Sequence, residues 1–143
     1  MSPLQQPLRW ISSAASDVGR VRQVNEDAYL NRPDVGLWAV ADGMGGHDAG
    51  DVASRVVVQA LKAMPPPVFL GRAVLDLCAC LAEANRELKE QASLRGKSII
   101  GSTVAALLAV RATYALVWAG DSRIYRLRRG SLRCLSRDHS QVE

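Results

Sequence analysis

The stretch that decides the fold of this chain is Ala41-Asp42-Gly43-Met44-Gly45-Gly46-His47-Asp48-Ala49-Gly50. An apolar run, 35–40, brings Asp42 to the end of a predicted strand, and a helical pattern follows. Glycine at four of these positions lets backbone carbonyls and amides approach a ligand that a Cβ would block. Carboxylate and carbonyl oxygens are the ligands that hard divalent cations prefer. An ordinary strand-to-helix turn explains the same residues, so this stretch alone leaves both interpretations open.

The composition is that of a globular protein with one domain. Of 143 residues, 48% are hydrophobic and 22% charged, which is enough to bury a core. The longest apolar run, 104–110, is far too short to span a bilayer, and residues 1–7 do not resemble a secretory signal. Three cysteines without metal-finger spacing favour free thiols in a reducing compartment. We therefore expect a cytoplasmic protein with no membrane partner.

An excess of arginine late in the chain accounts for most of the net charge of +4. A basic cluster of this kind is either a nucleic-acid surface or a solvated strand face. Only one aromatic residue that could stack on a base, Tyr125, lies among the arginines, so we expect no nucleic-acid partner. The arginines are Arg123, Arg126, Arg128, Arg129, Arg133 and Arg137.

Hydrophobic periodicity predicts two helices between two groups of strands. The run 37–41 is apolar on both faces, which indicates a central strand. Three prolines at 65–67 end the first helix. This order, with short hairpin connections late in the chain, predicts an α+β fold with antiparallel sheets and helices packed outside them. The predicted helices are 48–64 and 70–94, and the predicted strands are 8–15, 28–30, 37–41, 102–110, 113–119, 123–128 and 132–135.

Acidic residues stand at three turns next to predicted strands: Glu26 with Asp27, then Asp42, then Asp121. A surface loop of mixed charge explains the first pair, but together with Asp42 a shared acidic site is more attractive. Carboxylates from separate strands can hold two divalent ions, which bind phosphate oxygens and ionise a water molecule. An arginine nearby would hold a phosphate as a bidentate fork, and His47 could donate a proton to a leaving alkoxide.

At these positions the chain closely resembles the metal-dependent Ser/Thr protein phosphatases of the 2C type, in their stand-alone bacterial form. The third of the matching segments departs from the family's Gly-Thr-Thr motif by a serine. Because the segments occur in the family's order and at its natural spacings, together they are a strongly specific sign of this resemblance. They are 16–22 with 25–27, then 42–47, 101–103, 119–125 and 136–140.

The resemblance implies that metal ions are held by residues from several of these segments. Asp42 would bridge two ions, and the Gly43 carbonyl would ligate one of them. Glu26 and Asp27 would bind metal directly or through water. Asp121 would help to hold a third, weaker ion. The implied cofactors are Mn²⁺ or Mg²⁺, as two or three ions.

The resemblance also implies a reaction and its partners. Phosphoserine and phosphothreonine in proteins would be hydrolysed by a metal-activated water. Arg22 would clamp the substrate phosphate, and His47 would be the general acid. Ser/Thr-phosphorylated proteins, attracted by a basic rim, and an opposing bacterial Ser/Thr kinase are the expected partners.

The family fold implied is an antiparallel β-sandwich flanked by helices in αββα layers, incomplete here at its C-terminal side. We expect residues 1–143 to be the N-terminal portion of a single phosphatase domain, because two late family aspartates have no counterpart. This chain alone should bind Mn²⁺ weakly and hydrolyse phosphoesters poorly, and exposed sheet edges would favour association. The alternative is a non-catalytic module that binds phosphoproteins.

Overall fold

The computed structural model describes residues 8–45, 49–97 and 99–139. It confirms the α+β class and the antiparallel strand arrangement predicted from the sequence. The elements in chain order are β1 (Asp27–Arg32), β2 (Leu37–Met44), α1 (Gly50–Lys62), α2 (Leu70–Leu94), β3 (Gly101–Ser102), β4 (Val104–Val110), β5 (Thr113–Ala119), β6 (Tyr125–Arg128) and β7 (Ser131–Cys134).

Five strands form one antiparallel sheet in the order β1-β2-β4-β5, and β3 continues the line of β4 beside β2. β2 lies between β1 and β4, which confirms the central strand predicted from its two apolar faces. The register pairs Asp27 with Asp42 and Leu37 with Leu108. Because side chains alternate along a strand, this register fixes which residues face the helices and which face the opposite side.

Both helices pack on one face of the sheet, α1 over β1 and β2 and α2 over β4 and β5. Small side chains at the contact let α1 approach β2 closely, since Ala39, Ala41, Ala49 and Ala53 are all buried. The predicted bounds of α2 are confirmed, whereas α1 begins at Gly50 and the predicted start at 48 lies outside the described residues. Within the described residues, neither helix combines the length and the apolar character needed to cross a bilayer.

The opposite face of the sheet is covered only in part by described residues. Trp10 meets Trp38 edge to face, with ring centroids 5.6 Å apart. The β6–β7 hairpin lies over the same face, where Arg126 donates to the hydroxyl of Tyr114 at 3.5 Å. A groove of about 200 Å³ separates this hairpin from Leu107 and its neighbours. Of the αββα layers implied, the described residues therefore show one helical layer, one five-stranded sheet and one hairpin.

Two predicted strands differ from the structure in more than their limits, which shift by one to three residues in four of the others. Residues 8–15 are not a strand, because no backbone hydrogen bond joins them to any other described segment. They lie along the sheet through side chains instead, with Ser12 donating to Asn31 at 2.7 Å. The predicted strand 102–110 is divided at Thr103, where the Thr103 hydroxyl, instead of a backbone carbonyl, accepts from the Asp42 amide.

Candidate metal centre

A pair of aspartates forms the centre of the site. Asp27 opens β1 and Asp42 lies near the end of β2, and the two residues are direct partners across the strands. Directly opposed residues place their Cβ atoms roughly 5 Å apart on the same face of the sheet. Two negative charges this close repel each other, so Asp27 disfavours the ionised form of Asp42.

Burial and neighbouring negative charges both act on Asp42. The pKa of Asp42 lies above its ordinary value of 3.8, first because partial burial disfavours the charged form and next because Asp27 is negative. Asp121 raises the same pKa further, whereas the Arg22 guanidinium lowers it. The Asp27–Asp42 pair lines an open cleft of about 370 Å³, together with Asp17 and Ser122 among others.

Hydroxyl groups fix the backbone on which Asp42 stands. The Asp42 amide donates to the Thr103 hydroxyl at 3.0 Å, and its carbonyl accepts from the Thr103 amide at 2.8 Å. The Ser102 hydroxyl donates to the same carbonyl at 3.1 Å. The Thr103 hydroxyl also lies 2.6 Å from that of Ser122, which lines the cleft. This network ties β2 to the turn after β5, so the position of Asp42 is coupled to that of Asp121 in this turn.

The turn that carries Asp121 follows β5 and begins at Gly120. Gly120 has a φ of +96°, and a Cβ there would lie 2.7 Å from the Thr103 Cγ2 atom, so only glycine fits. The Gly120 carbonyl accepts from the His139 amide at 2.9 Å. The Trp118 ring stacks on the His139 ring at 6.1 Å and donates to the Arg137 carbonyl at 2.7 Å. Residues 137–139 therefore hold this turn in place from behind.

An ion pair adds to that anchor. Arg123 donates to both carboxylate oxygens of Asp138, at 3.0 and 2.7 Å. This bidentate bond lowers the pKa of Asp138 and raises that of Arg123. The Asp138 carboxylate therefore has a structural role, which supports excluding it from the metal ligands.

A second group of oxygens lies at the start of α1. The Gly43 amide donates to the Glu26 carbonyl at 3.0 Å, which seats the end of β2 against the residue before β1. A Cβ at Gly50 would overlap the Glu26 carboxylate and lie 2.8 Å from the Gly43 carbonyl oxygen. Glycine at 50 therefore keeps open a space that both oxygens border. Arg22 closes the outer side, with its Nη1 atom 2.6 Å from the Glu26 carboxylate.

These oxygens fit a hard divalent cation by their chemistry. Carboxylate and carbonyl oxygens are the donors that Mg²⁺ and Mn²⁺ prefer, and a cation between Asp27 and Asp42 would offset their mutual repulsion. In the present side-chain arrangement, no three carboxylate, imidazole or thiol groups among the described residues converge on one ion position. Binding would thus require side chains to turn inward or water to complete the ligand shell.

The structure brings together most of the predicted site residues and separates one. Asp27 and Asp42 line a common cleft, and Asp121 and Arg22 both act on Asp42 electrostatically. The side chain of Glu26 turns to α1 instead, since neighbouring residues at a strand end point to opposite sides. The predicted general acid, His47, lies outside the described residues, so its role stays a prediction.

Three residues that matter to the geometry were not singled out from the sequence for these roles. They are Asn25, whose side chain accepts from the Asp27 amide at 3.0 Å, and the hydroxyl pair of Thr103 and Ser122. Each is a short polar residue next to a predicted acidic residue or at a strand end. That adjacency is the signal that could have found them, because such side chains often bond to nearby backbone.

Comparison with known proteins gives the family. Residues 19–142 match the family model described as protein phosphatase 2C. The serine/threonine protein phosphatase PstP of Mycobacterium tuberculosis is 36% identical over 132 residues, which are 92% of this chain and 25% of PstP. The serine/threonine phosphatase stp of Listeria welshimeri is 33% identical over 135 residues, which are 89% of this chain and 54% of that protein.

Solved structures agree with the family match. PppA, described as a key regulatory component of T6SS in Pseudomonas aeruginosa, is 50% identical with a TM-score of 0.86, over 89% of this chain and 55% of that one. The catalytic domain of PstP in complex with two manganese ions is 36% identical with a TM-score of 0.81, over 90% and 56%. The chain spans about half of these solved chains and of the Listeria phosphatase, and a quarter of PstP. This chain belongs to the protein phosphatase 2C family.

Proposed function

We propose that this chain contributes to the active site of a metal-dependent phosphatase that hydrolyses phosphoserine and phosphothreonine in proteins. The observation that carries the proposal is the direct opposition of Asp27 and Asp42 across β1 and β2, where both line an open cleft. Relatives named serine/threonine phosphatases, one of them solved with two manganese ions, support the same chemistry. The cofactors proposed are two or three Mn²⁺ or Mg²⁺ ions.

Asp42 and Asp27 would hold the ions, with Glu26 and the Gly43 carbonyl on the side of α1 and Asp121 on the side of the β5–β6 turn. When bound, such ions polarise phosphate oxygens and lower the pKa of water, which supplies the nucleophile. The protein itself would position these ligands. Thr103 keeps the Asp42 backbone fixed, so the carboxylate needs little reorganisation during the reaction.

Arg22 would bind the substrate phosphate. Its guanidinium is largely exposed and already pairs with the Glu26 carboxylate beside the cleft. An arginine held at one end by a carboxylate keeps free donors, because five N–H groups are available. Those donors can engage a phosphate as a planar fork. His47 as proton donor to the leaving serine or threonine oxygen belongs to the same proposal.

The test is hydrolysis of a phosphothreonine peptide by the purified chain, with and without Mn²⁺. We expect phosphate release that requires Mn²⁺ and falls at least about 100-fold in Asp42→Asn, because a carboxylate that would hold the ions is lost. Glu90→Gln, on the exposed face of α2, removes the same charge away from the site and should leave the rate unchanged. Equal rates for the unsubstituted chain and Asp42→Asn would contradict the proposal.

The second candidate is a module that binds phosphoproteins without hydrolysing them. It is favoured by one observation, that no three candidate ligands among the described residues converge on one ion position. Phosphopeptide binding that depends on Arg22, together with the absence of phosphate release at any Mn²⁺ concentration, would identify this module.

The biological setting is also a proposal. An opposing Ser/Thr kinase would supply the phosphorylated substrates, and the cytoplasm is the proposed compartment. The likeness to PppA adds a proposed role in regulating T6SS. A phosphoproteome comparison between a strain that has this gene and one that lacks it tests these points together. Phosphoserine and phosphothreonine levels that do not change would count against them.

A further inference from the structure

The β6–β7 hairpin carries a basic face that the proposed reaction does not use. Arg126 and Arg133 are direct cross-strand partners, so both point to the same face of the hairpin. Arg128 lies two residues beyond Arg126 and shares that face, opposite Ser131. Arg128 and Arg133 are exposed, and Arg126 is half-buried.

Two features of this hairpin, one on the basic face and one in the turn, oppose its stability. Like charges placed directly opposite each other destabilise an antiparallel pair, and Arg126 and Arg133 are such a pair. Arg129 occupies the left-handed region in the turn, with a φ of 51°, where asparagine or glycine is favoured. These residues reduce the stability of the hairpin and concentrate positive charge at one surface. Such a local cost is typical of a functional site, so it indicates a ligand for that charge.

The positive charge on this face is not neutralised within the part of the chain that the structure describes. Across residues 8–45, 49–97 and 99–139, no ion pair involves Arg126, Arg128, Arg129 or Arg133. Among those same residues the buried Nε atom of Arg126 has no hydrogen-bond acceptor. The acidic residue that follows, Asp138, is already held by Arg123.

We propose that this basic face docks an acidic segment of the phosphoprotein substrate. The inference rests on the proposed function, since it makes the ligand part of a polypeptide substrate. Alternate residues of an extended peptide repeat about every 6.6 Å, which is also the spacing of Arg126 and Arg128 along β6. Guanidinium groups bind carboxylates as bidentate forks, so glutamates of the peptide would meet the exposed Arg128 and Arg133, beside Arg126, whose Nη1 atom already donates to Tyr114.

The chain geometry relates this docking face to the cleft. Three residues, 122–124, separate Asp121 from β6, and the hairpin extends from there toward Tyr114, at the end of β5 farthest from Asp121. Five to seven residues from Asp121 to the docking arginines span roughly 16–23 Å of extended chain. The acidic segment should therefore lie about five to seven residues from the phosphorylated residue.

Binding is tested first without phosphate or metal. The probe is a fluorescein-labelled peptide with four glutamates alternating with serines, measured by fluorescence anisotropy at low and at physiological salt. We expect binding that weakens with salt, and at least tenfold weaker binding when glutamine replaces each glutamate. The double variant Arg128→Gln/Arg133→Gln should bind at least tenfold more weakly. The control Arg86→Gln/Arg95→Gln makes the same charge change on and after α2 and should bind like the unsubstituted chain.

Hydrolysis then links docking to the reaction. With a phosphothreonine six residues from the glutamates, Arg128→Gln/Arg133→Gln should raise KM about tenfold and leave kcat unchanged. Hydrolysis of p-nitrophenyl phosphate should not change. If neither substrate is hydrolysed, the proposed function fails while the anisotropy result still decides the docking inference.

Three results would overturn the inference. One is glutamate-peptide binding that is absent or unaffected by the hairpin variant. Another is tighter binding of a DNA oligonucleotide than of the peptide through the same arginines, which would assign the face to nucleic acid. The third is binding to vesicles with anionic lipid that exceeds peptide binding. Arg128→Lys/Arg133→Lys keeps the charge, so partial recovery in that variant separates charge from a folding defect.

Discussion

Gly43→Ala tests whether the end of β2 and the start of α1 are packed backbone to backbone. Gly43 is buried, and a Cβ there would lie 2.5 Å from the Gly50 carbonyl carbon and 3.0 Å from the Glu26 carbonyl oxygen. Ordinary van der Waals contact begins near 3.4 Å, and both neighbours are main-chain atoms that cannot rotate away. The methyl group would push α1 off β2, where Ala49 and Ala53 pack without gaps.

Overpacking of this kind costs about 1–3 kcal/mol, and a backbone obstacle places Gly43→Ala at the upper end, about 3 kcal/mol. For a domain of this length that lowers Tm by about 10 °C. Thermal unfolding followed by circular dichroism measures it. The control is Gly71→Ala, at an exposed position of α2 where an added methyl group would have no neighbouring atom within 4 Å, and it should gain about 0.5–1 kcal/mol. A Tm for Gly43→Ala within about 2 °C of the unsubstituted chain would refute the reasoning.

Three further substitutions probe the site, each followed by the free energy of unfolding without divalent ions. Asp42→Asn should stabilise the chain at pH 7 by up to about 1 kcal/mol, because it removes repulsion from Asp27. The gain should vanish below pH 3.8, the ordinary pKa of the Asp42 carboxyl, because that group is then protonated in both the folded and the unfolded state. Thr103→Val should cost about 1–2 kcal/mol, because the Asp42 amide and the Ser122 hydroxyl lose their partner. Gly120→Ala should cost about 2–3 kcal/mol, through both a positive φ and contact with Thr103.

Each of these three predictions has a matched control variant and a result that would contradict it. Glu90→Gln removes an exposed charge and should change the free energy of unfolding by less than about 0.5 kcal/mol. If Glu90→Gln and Asp42→Asn gained equal stability, repulsion between Asp27 and Asp42 would not be the cause. Thr103→Ser keeps the hydroxyl and should recover most of the loss in Thr103→Val. Gly130→Ala has a positive φ but open space, so a cost equal to that of Gly120→Ala would show that contact with Thr103 contributes nothing.

The strongly periodic elements could be predicted from the sequence. The limits of α2 at residues 70 and 94 agree with the prediction, because a long apolar stripe lies between three prolines and a glycine with positive φ, Gly96. β2 and β5 were recognisable from apolar residues on both faces. The segment 8–15 was predicted as a strand from its residue pattern, and this prediction was wrong. A residue pattern expresses only a preference for extended backbone, whereas a strand also requires backbone hydrogen bonds to a neighbouring strand.

The site could be predicted in its residues but not in its arrangement. Asp27 and Asp42 both belong to the predicted site, yet their direct opposition depends on the β1–β2 register, which is set by packing against α1. The same register sends Glu26 to the other side, although sequence adjacency suggested that it would act with Asp27. Thr103 lies in one of the family-like segments but had no predicted role, because its bonds to Asp42 and Ser122 join residues that are distant in sequence.

The central claim is that divalent ions bind where Asp27, Asp42 and Asp121 meet. Mn²⁺ is paramagnetic and broadens amide signals near its binding position, so substoichiometric Mn²⁺ added to the ¹⁵N-labelled chain maps the site directly. We predict that amides at 26–28, 42–43 and 120–122 broaden first, that those of the β4–β5 turn at 111–112 stay sharp, and that Asp42→Asn abolishes the effect. Broadening that is centred elsewhere, or that persists unchanged in Asp42→Asn, would contradict the claim.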